Sequence, residues 1–172
     1  MPAPTLRYKI LSKAMRLMAP YIPLATYQRL LPRNPIGFFY HAISDTPLPH
    51  LKHLYPSKTA AEFEQDLLWL KQHYTLLDYS ALLSLANQPA NQQTSKPANQ
   101  PSAFISFDDG FTECSTVARP LLLKHGVPCL FFLATDWIDN HSMYYRGKMS
   151  LILEKLNSLD PATQTEFLQS LA

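Results

Sequence analysis

Apolar and polar positions along the chain follow two different periods. Between Thr59 and Tyr74, the residues Phe63, Leu67, Leu70 and Tyr74 recur at helical spacing, and Thr59-Ala60-Ala61-Glu62 has the form of a capping box. This predicts an amphipathic helix. Ile36 to Ile43 (IGFFYHAI) is instead a short aromatic and β-branched run after Pro35, which predicts a buried strand closed by a turn at Ser44-Asp45-Thr46-Pro47. Thr75 to Tyr79 predicts a short strand and Ser80 to Ala86 a brief helix. Ala103 to Phe107 (AFISF) reads as a strand that runs directly into Asp108-Asp109-Gly110. From about Ser115 to His125 the pattern is helical, with Gly126 and Pro128 as stops and Pro120 as a kink. Cys129 to Ala134 (CLFFLA) is the next strand. Helices follow over Tyr145 to Leu159 and Pro161 to Leu171, the second capped by Asp160 with Pro161 in its first turn. Strand, helix, strand is the order of a βαβ unit, and the apolar strands predict an α/β fold with a parallel sheet covered on both faces.

Two segments stand apart from this pattern. Residues 87–101 (NQPANQQTSKPANQP) contain no large apolar side chain and repeat Pro-Ala-Asn-Gln, so they contribute nothing to a core and read as a flexible surface loop. Residues 1–34 carry a basic amphipathic helix, with Leu6, Ile10, Leu11, Ala14, Leu17 and Met18 on one arc and Lys9, Lys13 and Arg16 opposite. Thr5 would cap it and Pro20 would end it. Such a helix either lies on anionic lipid as a peripheral membrane contact or packs on the body of the protein. The expected organisation is a helical extension over 1–34 and a main domain over 35–172.

Charge sharpens that division. All six charged residues before Asp45 are basic, whereas nine basic residues face all thirteen acidic ones from there on. The net charge of +2 is too small for a dedicated nucleic-acid binder, which carries a dense basic patch. With 47% hydrophobic and 16% charged residues, the chain has the composition of a folded domain. Cys114 and Cys129 are too few for a disulfide framework and lack zinc-ribbon spacing, so both read as free thiols. No apolar run is long enough for a membrane span, and basic residues occupy the place of a signal-peptide core, which makes the cytoplasm the default expectation.

Candidate chemistry is concentrated at Asp108 and Asp109. Ligands of parallel α/β folds collect outside the carboxyl ends of the strands, where these residues fall. Adjacent carboxylates are costly to hold together unless a positive group, such as a divalent cation, sits beside them. From spacing alone, the pair is either a metal or acid/base site or a solvated Asp-Asp-Gly turn. His41, closing a predicted strand, is a candidate to face the same site, with a structural histidine as the alternative. His50 and His53 fall in a Pro-rich loop and read as exposed, His73 and His125 as complements to helix C-termini. Asp136 and Asp139, around Trp137, border a strand end and read as turn residues.

Ser106-Phe107-Asp108-Asp109-Gly110 resembles the first motif of the polysaccharide deacetylases, the NodB-homology or carbohydrate esterase family 4 proteins. The Phe39-Tyr40-His41-Ala42-Ile43 strand, the Phe63 helix, the Pro120-Leu121-Leu122 helix and the strand from Gly126 to Leu133 stand in the order seen in that family, so the resemblance covers about residues 36–140. It implies part of a NodB-type distorted (β/α) barrel and hydrolysis of N-acetyl groups on amino sugars of a polysaccharide. By the same resemblance, Asp108 is a general base and Asp109 a ligand to a divalent metal, usually zinc. The family's His pair, written H-S/T-x-x-H-P, has no counterpart; His141-Ser142-Met143-Tyr144-Tyr145 places Tyr145 where the second His belongs. A zinc site needs three protein ligands, and Asp109 supplies one. The expectation is therefore an N-terminal part or truncated version of such an enzyme, prone to self-association through an unpaired sheet edge. The alternative is a catalytically inactive fragment or carbohydrate-binding remnant. A phosphotransfer domain using the two aspartates for magnesium is the weakest reading, because no Gly-rich phosphate loop is present.

Overall fold

The computed structural model describes residues 13, 17–24, 26, 34–87 and 100–170. The chain divides into two compact units, Met1–Asn34 and Pro35–Ala172. In the first, a 3-10 turn spans Ala19–Tyr21. The expected basic helix lies for the most part outside the described residues, and so does nearly all of the 87–101 loop.

The second unit is built on a four-stranded parallel sheet. Strand β1 (Ile36–Tyr40) pairs along its whole length with β3 (Ser102–Phe107), from Ile36 opposite Ala103 to Tyr40 opposite Phe107. Two shorter strands also pair with β3, β2 (Thr75–Leu76) near its start and β4 (Leu130–Phe131) at its end. Strand β3 is thus the centre of the sheet, and its carboxyl end is held by both β1 and β4.

Helix α1 (Ala60–His73) follows β1 and begins with the expected capping box, Thr59 and Glu62 each satisfying the other's backbone N–H. Its stripe of Phe63, Leu67 and Leu70 is buried and packs with Ala103, Ile105 and Phe107 of β3. Helix α2 (Tyr79–Ala86) is capped by Asp78, whose carboxylate accepts from the Ala81 N–H. After β3, the chain forms a π-helical turn over Cys114–Ala118 and then α3 (Arg119–His125). Pro120 lacks an N–H and cannot continue an α-helical ladder, and the widened turn before it lets the Arg119 N–H reach the Cys114 carbonyl. The expected kink is thus realised as a π-turn. Gly126 ends α3 in the left-handed conformation, as its sequence position predicts.

Beyond β4, a 3-10 segment (Thr135–Asn140) leads to α4 (Tyr145–Asn157) and α5 (Pro161–Ser170), the latter capped by Asp160. Ser150 of α4 is fully buried, donating to the Pro49 carbonyl at 2.6 Å and accepting from the His53 N–H at 3.3 Å. These bonds hold α4 against the loop that follows β1. Ser150→Ala leaves both backbone groups without that partner and is expected to cost about 1–3 kcal/mol in urea unfolding, whereas Ser150→Thr tests packing at the same point.

The structure corrects two expectations. The last strand is two residues long instead of six, because β4 meets β3 only at Ser106 and Phe107. Among the described residues, β1 is covered from one face: Ile36, Phe38 and Tyr40 turn toward the core, while Phe39 on the opposite face remains 69% exposed. Gly37 belongs to that open face, and the Phe104 ring lies so close over it that an added Cβ would stand 2.8 Å from the ring.

Candidate active site at the carboxyl end of the central strand

Alternation along β3 sends Ala103, Ile105 and Phe107 into the core, so Asp108 leaves the strand on the opposite side, that of Phe104 and the buried Ser106. Its N–H donates to the Tyr40 carbonyl at 2.9 Å, extending the β1–β3 ladder by one step and setting His41 beside it. The Asp108 carbonyl accepts from the Gly110 N–H at 2.9 Å, which closes a tight turn. Within that turn Asp109 and Gly110 both have positive φ, 73° and 79°. Asp tolerates this region better than most residues, and Gly occupies it without strain. An added Cβ on Gly110 would also meet Leu133 at 2.8 Å.

The three sequence-predicted site residues, His41, Asp108 and Asp109, therefore gather at the ends of two adjacent strands. His41 is fixed from behind, since the buried Cys114 thiol donates to its carbonyl at 3.4 Å. Burial pushes that thiol up to about 11, so it remains a neutral donor. Both cysteines are free, as expected. Burial also raises the Asp109 carboxyl above its ordinary value, an effect that nearby His41 opposes and Asp108 reinforces.

That shift has a consequence for stability. A carboxyl whose value is raised in the folded chain holds its proton longer there than in the unfolded chain, so stability falls as pH rises from about 3.8 through the folded value. In chelator-treated protein, Asp109→Asn is expected to raise Tm at pH 7, because asparagine carries no charge and also accepts positive φ. The advantage should shrink toward pH 3, as scanning calorimetry at the two pH values would read; an unchanged or lower Tm at pH 7 counts against it.

Aromatic side chains from three strand-end loops gather at the same end of the sheet. Tyr55 tilts against His41 at 5.1 Å, and Phe39 meets that ring edge-on at 6.0 Å. A second row runs from His50 through Phe111 and Tyr144 to Trp137, with successive centroid separations of 5.2, 5.9 and 5.0 Å. The Tyr144 hydroxyl donates to the His50 carbonyl at 3.3 Å. Burial, with the Asp109 charge nearby, pushes that hydroxyl up to about 12, and the Tyr55 hydroxyl is raised for related reasons.

Sequence reasoning missed Tyr55 and Tyr144, because neither belongs to a motif and only folding brings their loops to Asp109. It also misplaced two histidines: His50 is half-buried on Phe111, and His53 pairs with Glu154 at 2.9 Å. His125 pairs with Glu64 at 2.6 Å, and His141 is exposed. Among the described residues, no three His, Cys, Asp or Glu side chains come together as a metal-ion ligand set. Two surface grooves lie away from the carboxylates. One of about 460 Å³ is lined by Leu76, Asp78, Leu122 and Gly126, and one of about 380 Å³ follows β1 between Phe39, Lys58 and Trp69.

Residues 95–164 match the family model for polysaccharide deacetylase. No curated relative matches the chain. Among solved structures, a de-N-acetylase from Aggregatibacter actinomycetemcomitans is similar over 60% of this chain and 38% of its own, with 23% identity and a TM-score of 0.47. The Streptococcus pyogenes deacetylase PplD, in complex with acetate, is similar over 61% of this chain and 44% of its own, with 20% identity and a TM-score of 0.48. The chain thus spans well under half the length of both. The Ser106-to-Gly110 strand end lies inside the segment, residues 95–164 of 172, that is similar to the polysaccharide deacetylase family.

Proposed function

We propose that this chain carries the general-base half of a hydrolase that removes N-acetyl groups from amino sugars of a polysaccharide. The observation that carries the reading is the meeting of Asp108, Asp109 and His41 at the carboxyl ends of β1 and β3. Asp108, held by its backbone at the strand end, takes a proton from water as that water attacks the acetyl carbonyl. Collapse of the tetrahedral adduct, with the proton held on Asp108 passed to the departing nitrogen, gives acetate and the free amine of the sugar. Asp109 offers one carboxylate to a divalent cation, zinc in this reading, whose chemistry would be polarisation of the carbonyl. The described residues do not fit a complete zinc site, because three protein ligands are needed and no such trio is present among them. The same observation favours a second reading, a carbohydrate-binding remnant without turnover.

Zinc titration of the purified chain by calorimetry, with Asp109→Ala as control, separates the two. Binding that the substitution removes would mean that further ligands complete the site, and would support the hydrolase. No binding to the unaltered chain would sink this chain's candidacy as a metalloenzyme by itself and leave the remnant.

A further inference from the structure

The proposed chemistry leaves residues 1–34 without a role, yet their charge is all of one sign. Before Asp45 the chain holds six basic residues and no acidic one, whereas all thirteen Asp and Glu lie in the remainder beside nine basic residues. The sequence pattern sets Leu6, Ile10, Leu11, Ala14, Leu17 and Met18 on one arc of a helix, with Lys9, Lys13 and Arg16 off that arc. Lys13, Leu17 and Met18 are helical and exposed, the two apolar side chains at 66% and 62%. At Pro20 the chain passes into the 3-10 turn of Ala19–Tyr21, and Tyr21 is 87% exposed. Single exposed apolar residues are ordinary on protein surfaces. Three large ones within five positions, in a unit whose charged residues are all basic, match a target that is itself both apolar and anionic.

We infer that the N-terminal segment docks on the surface of an anionic bilayer, with Leu17, Met18 and Tyr21 entering the boundary between headgroups and acyl chains and Lys13 and its basic neighbours meeting the lipid phosphates. An interfacial segment of this kind combines an apolar face with Lys and Arg side chains, whose long stems carry the charge back to the headgroups. Tyrosine suits the same depth, because its ring is apolar and its hydroxyl polar. No helix of the described residues is long and apolar enough to cross a membrane, and the inferred contact is with its surface. A nucleic acid would answer the basic charge and leave the apolar side chains in water, so a lipid surface is the better match. The inference goes beyond the hydrolase reading and does not rest on it.

Co-sedimentation of the full chain with lipid vesicles tests this. Vesicles of equal parts phosphatidylglycerol and phosphatidylcholine are expected to bind it roughly tenfold or more tightly than vesicles of phosphatidylcholine alone, and the difference should shrink as salt is added. Lys13→Gln is expected to weaken binding to the mixed vesicles roughly fivefold, the scale of one basic side chain at an anionic surface. Leu17→Asp is expected to weaken it roughly tenfold or more, because it puts a charge where an apolar side chain enters the bilayer. Both positions are exposed, so the unfolding transition of the second unit should stay where it is in either variant. Lys155→Gln removes an exposed charge from α4 and should leave the affinity within about twofold. Failure to bind the mixed vesicles, equal affinity for the two kinds of vesicle, or Leu17→Asp binding as tightly as the unaltered chain would overturn the inference. So would a short DNA duplex that the chain binds through Lys13 with no effect of Leu17→Asp, an outcome that assigns the basic unit to nucleic acid.

Discussion

Replacing Phe107 by alanine is expected to lower the unfolding free energy by about 3–5 kcal/mol, the range for a fully buried phenylalanine. Phe107 is completely buried and lies in a cross-strand row, stacked with Tyr40 at 5.4 Å on one side and Phe131 at 5.6 Å on the other. Phe63 of α1 meets it edge-on at 5.5 Å, so the ring joins β1, β3, β4 and the helix layer at one point. Truncation opens a cavity that none of these rings can fill without leaving its partners. Because Asp108 follows directly, the strand end that aims the carboxylate would loosen as well. Urea unfolding monitored by circular dichroism measures the loss, with Phe107→Leu expected at well under half of it; equal losses for both would point to a role other than packing.

In a protein that completes the proposed site, acetate release from an N-acetylated oligosaccharide is expected to fall by roughly 10²–10⁴ in Asp108→Asn, the usual span for loss of a general base. The substitution keeps the size of the side chain and both backbone bonds of Asp108, to Tyr40 and Gly110, so Tm should hardly move. The two measurements together identify the role: a large loss of rate in a protein of unchanged stability belongs to the chemistry. Retention of more than a tenth of the rate would remove Asp108 as the base. Asp109→Asn provides the contrast, weakening cation binding while raising the stability of the cation-free chain.

Much of this architecture was legible in the chain because local physics decided it. The capping box at Thr59 and Glu62, the helical stripe of Phe63, Leu67 and Leu70, the cap at Asp160 and the left-handed stop at Gly126 each depend on a few neighbouring residues. So does the strand running into Asp108 and Asp109, whose alternation assigns Phe107 to the core and Asp108 to the opposite side. The Pro120 signal was also readable in part: a missing N–H requires a break, but whether the helix bends, stops or widens into a π-turn depends on how Cys114, Ala118 and Leu122 pack beneath the sheet.

Other features were beyond local reading. An apolar run such as Cys129 to Ala134 has the composition of a strand along its whole length, yet only Leu130 and Phe131 pair with β3 as a strand, the Phe132 N–H adding one last bond to the Phe107 carbonyl. One-sided cover of β1 is likewise a property of what packs on it, and no residue of β1 announces that Phe39 faces solvent. Residue type, spacing and caps by themselves determined the βαβ order and the pair of aspartates, because those act over one or two turns of chain. Tertiary structure alone brought Tyr55, His50, Tyr144 and Trp137 to that pair, since their loops are far apart in sequence and are joined only by the shared carboxyl end of a parallel sheet.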